Sequence, residues 1–143
     1  MREQFIPYKQ ALELRDLGFD EKCLVTESKV GYARNPSTDM EELPIQEPFY
    51  WTNSKIHSDN CTLPLWQQAF DWFREKYDLL GYVQDESSID DNVNIHDKWM
   101  YVIQELPIVL HDDLSDNVLY KTHQEARQAC LEKLIELVKS KLT

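Results

Sequence analysis

Glycine is scarce in this 143-residue chain, with three residues, Gly18, Gly31 and Gly81. A loop that cradles phosphate needs glycines so that backbone N–H groups can close on the anion, and three scattered ones do not build it. No P-loop, GxGxxG, GxSxG or HExxH pattern occurs. Basic residues are also few: 15 Lys and Arg stand against 26 Asp and Glu, for a net charge of −11. Binding directly to a phosphate backbone requires clustered cations, so that class of function is disfavoured. Three cysteines, Cys23, Cys61 and Cys130, form no CxxC pair, and an odd count suits a reducing compartment better than a disulfide framework. No apolar run approaches the roughly 20 residues of a membrane-spanning helix. The first residues, Met-Arg-Glu-Gln-Phe-Ile-Pro, contain no apolar secretory segment. The expected location is the cytoplasm, with no membrane association.

What is present suffices for a core. Apolar residues make up 42% of the chain and aromatics 11%, and the length suits a single domain over residues 1–143. Pro7 to Leu17 reads as a helix with Ala11, Leu14 and Leu17 on its apolar stripe and Leu12 widening it. Gly18 and Phe19 are placed for a Schellman stop. Cys23 to Tyr32 reads as strand, Arg34 to Pro48 as a long loop, and Phe49 to Thr52 as a short aromatic strand. The densest aromatic run, Thr62 to Tyr77, reads as the central helix, with Thr62 as N-cap and Leu65, Trp66, Ala69, Phe70, Phe73 and Tyr77 as its stripe. Leu79 to Val83 is a strand that runs into an acidic loop. Lys98 to Leu106 is a strand apolar on both faces, ended by Pro107. His111 to Asn117 is a turn, and Val118 to Tyr120 a strand end. The last helix opens at Thr122 with a Thr-x-x-Glu capping box and carries Ala126, Ala129, Cys130, Leu134, Ile135, Leu137, Val138 and Leu142.

Four constellations invite chemistry. His57-Ser58-Asp59-Asn60-Cys61 supplies metal-ligand types, or a Cys-His pair, at a spacing that fits no zinc pattern; a polar turn explains it as well. Asp90-Asp91-Asn92-Val93-Asn94 begins like a calcium loop and then lacks the required Gly and Glu, having Ile95 and Tyr101 instead. His96 and His111 flank the Lys98–Leu106 strand at opposite ends, too far apart to share a site without a sharp bend. The aromatics Tyr50, Trp51, Trp66, Trp72, Trp99 and Tyr101 could stack bases, but lack interleaved cations and read as core. Trp72, at the edge of its stripe, and Trp51, beside the long loop, are the exceptions set aside for a surface role. No catalytic residue, metal site or cofactor is assigned.

Three stretches carry a family likeness: Phe5-Ile6-Pro7-Tyr8 through Leu17-Gly18-Phe19-Asp20-Glu21-Lys22-Cys23; Leu63-Pro64-Leu65-Trp66-Gln67-Gln68-Ala69-Phe70-Asp71-Trp72-Phe73-Arg74-Glu75-Lys76-Tyr77; and Thr122 with Glu125-Ala126-Arg127 through Leu131 and Lys133-Leu134-Ile135-Glu136. Together they resemble short uncharacterised proteins of gut bacteria, their phages and mobile elements. That family usually has Gly after the helical Lys-Tyr, where this chain has Asp78. The resemblance implies a phage or mobile-element origin and no activity. The order of elements also bears a looser likeness to the phage ABA sandwich domain.

The fold expected is α+β: a small antiparallel sheet of about three to five strands, the central and C-terminal helices on one face, and a short N-terminal helix. The function expected is an accessory protein that binds another, possibly basic, protein through an acidic surface. Trp51, Trp72, Asp71, Glu75, Asp85, Glu86, Asp90 and Asp91 are its candidate contacts. Solubility alone also accounts for the acidity, and a mimic of DNA would share it. Two alternatives stay open: a virion or assembly component, which would form homo-oligomers, and a small enzyme using Cys61 and His57.

Overall fold

The structure is a computed structural model that describes residues 2–28, 33–34, 51–86, 98–107 and 114–142. Three α-helices and, among the described residues, five β-strands make it an α+β protein: α1 (Tyr8–Asp16), β1 (Val25–Ser28), β2 (Ala33–Arg34), β3 (Asn60–Leu63), α2 (Trp66–Tyr77), β4 (Leu79–Asp85), β5 (Trp99–Glu105) and α3 (His123–Leu142). The chain divides into two compact units, Met1–Ala69 and Phe70–Thr143, with the division inside α2. The strands form two antiparallel sheets, β2-β1-β3 and β4-β5, where the sequence suggested one. Alternation reveals which faces of a strand are apolar; it does not name the strand's partner.

In the first unit, α1 ends as its sequence prescribes. Gly18 has φ 98°, its N–H donates to the Arg15 carbonyl, and the Phe19 N–H donates to the Leu14 carbonyl. This is the double bond of a Schellman motif, and Phe19 is buried behind it. The end of α1 is then tied to the segment before β3. The Arg15 guanidinium donates to the carbonyls of Ser58 and Asn60, and the Asn53 amide donates to the Phe19 carbonyl while its oxygen accepts the Thr62 N–H. Only Val25–Ser28 of the expected Cys23–Tyr32 strand is regular among the described residues. Cys23 joins through an isolated bridge to Trp51.

The central helix begins later than expected. Thr62 is not its N-cap but the third residue of β3, and the helix starts at Trp66. Pro64 accounts for the difference, because the residue before a proline is held extended, which keeps Leu63 in the strand. The Gln68 side chain reaches back to accept the Leu65 N–H at 3.0 Å, one half of a capping box. At the other end Asp78 has φ 56°, the left-handed conformation that suits the Gly of the resembling family. Trp66, Ala69, Trp72 and Phe73 are buried, while Phe70 and Tyr77 are half-buried.

In the second unit α3 lies along the β4–β5 hairpin and runs in the direction of β5. Its first turn meets Trp99, with the His123 ring 5.2 Å away, and its last turn meets Glu105, whose carboxylate is 2.7 Å from Lys141 Nζ. Between these ends the helix approaches β4 closely. A Cβ on Gly81 would stand 3.0 Å from Leu134 Cδ1 and 3.1 Å from Cys130 Sγ. Ala126, Cys130, Leu131, Leu134, Ile135 and Val138 are buried along the helix, and Tyr101, Val102 and Ile103 along β5, which is covered on both faces as expected. Thr122 caps α3, its Oγ accepting the Glu125 N–H at 3.1 Å. Beyond β5, residues 114–120 return antiparallel along its outer edge. The Leu114 N–H donates to Ile103, and Trp99 and Tyr120 exchange both backbone bonds. The readings of Gly31–Tyr32, the 35–48 loop, Phe49-Tyr50, the acidic loop at Asp90 and Asp91, and His96 and His111 fall outside the described residues.

Two substitutions test this packing. Gly81→Val drives a branched side chain into Leu134 and Cys130 and is expected to cost about 1–3 kcal/mol, read from urea denaturation midpoints. Asp78→Gly relieves the left-handed residue and is expected to match or exceed wild-type stability, whereas Asp78→Val loses about 1–2 kcal/mol in the same assay.

Candidate functional site

The residues singled out from sequence do not gather into one surface. Trp72 is only 5% exposed, its ring edge-on to Phe73 at 5.1 Å and to Tyr77 at 5.3 Å, with Lys76 Nζ above it. That corrects its place among the exposed exceptions: position 72 lies at the margin of the apolar stripe, and the helix buries the margin too. Trp51 is half-buried, and its buried indole N–H has no hydrogen-bond acceptor among the described residues. Asp71 and Glu75 flank Arg74, at 3.3 and 3.7 Å. Asp85 pairs with Lys98 across the β4–β5 hairpin at 3.5 Å, and Glu86 accepts a bond from the Gln84 amide. Asp90 and Asp91 lie outside the described residues.

The His57–Cys61 constellation is a turn running into a strand. The His57 imidazole is 71% exposed, and its Nδ1 accepts the Asp59 N–H. Cys61 is fully buried in β3. Among the described residues no cluster of three or more His, Cys, Asp or Glu side chains could hold a metal ion. The other thiols are equally withdrawn: burial pushes Cys23 and Cys130 up to about 12. A thiol that stays protonated and shielded is a poor nucleophile.

The concave surface of the second unit lies elsewhere. One face of α3, the returning 114–120 segment and the floor provided by Tyr101 enclose about 500 Å³. Its centre is Asp116. One carboxylate oxygen accepts the Tyr120 hydroxyl at 2.6 Å and the other accepts the Val118 N–H at 3.0 Å, with buried Tyr101 lining the same hollow. The two phenol rings lie 6.3 Å apart, tilted by 32°. Burial, reinforced by Asp116, pushes Tyr120 up to about 12 and Tyr101 higher still, so both remain neutral hydrogen-bond donors. Asn117, at φ 57°, makes a sharp turn beside Asp116, a conformation Asn tolerates better than most residues. The α3 wall carries Glu132, Lys133 and Glu136, with Lys133 bonded to Glu136 at 3.0 Å. A second hollow of about 530 Å³ continues toward the start of α3, past Gln124, Glu125 and Gln128, and shares Tyr120, Ala129 and Glu132 with the first.

Sequence reasoning had Tyr101 in a strand, Asp116 in a turn and Glu132 and Glu136 on a helix, without connecting them. Their separation along the chain hides the site. The only local signal was the Ser-Asp-Asn run at 115–117, a turn-forming composition. Comparison of the chain with family models, curated proteins and solved structures returns no match.

A thiol-reactive disulfide reagent at pH 8 checks the burial of the cysteines. In the native protein none of Cys23, Cys61 and Cys130 is expected to react within minutes, and all three are expected to react in denaturant. A rapidly modified Cys61 would instead reopen a catalytic role.

Proposed function

We propose that this is a small accessory protein of phage or mobile-element origin that acts by binding another protein, and that the groove along α3 is where the partner docks. The origin rests on the resemblance carried by the three stretches above. The docking reading is carried by one observation: among the described residues the groove presents the carboxylates Asp116, Glu125, Glu132 and Glu136 against one lining cation, Lys133, which is itself paired with Glu136. Carboxylates over an aromatic floor favour cationic side chains and repel a phosphate backbone. The tyrosines are held protonated and, among the described residues, no activated nucleophile lines the hollow, which favours recognition over covalent chemistry. A basic protein surface therefore suits the site, and the three buried cysteines, none of them in a disulfide, suit a reducing host cytoplasm.

Parallel pull-downs with wild type and a Glu132→Lys/Glu136→Lys variant test the proposal. A partner held in the groove is retained by wild type at low salt, lost by the variant, and released as salt approaches about 0.5 M, where exposed charge pairs are screened. Retention by both proteins at high salt would place the interaction elsewhere.

A further inference from the structure

We draw no further inference here: the strongest candidate, the carboxylate cluster of Asp116, Glu125, Glu132 and Glu136 along α3, belongs to the groove already described, and nothing in the structure shows what occupies it.

Discussion

The second unit depends on how closely α3 can approach the β4–β5 hairpin. Without a side chain at Gly81, Leu134 and Cys130 settle directly on the strand, and the buried faces of helix and sheet come together. The ends of the contact are fixed by different means, an aromatic edge at Trp99 and an ion pair at Glu105. Once α3 is placed, the short link from Tyr120 through Thr122 must lie beside Trp99, and the 114–120 segment is drawn along the free edge of β5. That segment also covers backbone groups that would otherwise invite pairing by another chain. The groove is thus a by-product of helix packing and edge protection, lined by whatever the outward flank of α3 presents.

That flank is acidic. Glu125, Glu132 and Glu136 recur on the side of α3 turned away from Ala126, Cys130, Leu134 and Val138, so one periodicity builds the core and sets the charge of the opening. In sequence the carboxylates looked like ordinary solubilising residues. They gain meaning only from what stands opposite, namely Asp116 with its Tyr120 donor.

Local rules were the legible part of this protein. The Gly18–Phe19 stop, the Thr122 cap and the doubly apolar β5 follow from interactions between residues a few positions apart, and the α+β class follows from the order of the elements. The start of α2 was misread because capping preference pointed to Thr62, while the restriction Pro64 places on Leu63 outweighed it. The division into two sheets was not legible, because strand pairing is settled by long-range contacts that alternation does not encode. Trp72 shows the same limit on a helix: stripe geometry ranks a position by angle, but burial depends on what lies beyond it. The groove was the least legible of all, since Tyr101, Asp116, Tyr120 and Glu132 come from three separate segments.

Asp116 has one more consequence. Its carboxylate receives the Tyr120 hydroxyl and the Val118 N–H, so the segment it belongs to is braced by its own contacts. The ordering entropy of that segment is a cost of folding and not of association. Under the proposed docking reading, a ligand meeting such a preorganised surface would dock nearly as a rigid body, its capture rate governed by diffusion and by long-range attraction to a chain of net charge −11. On that reading the Tyr120–Asp116 bond would act on kinetics without touching the ligand's charge, by keeping in shape a surface toward which an oppositely charged molecule would already be drawn.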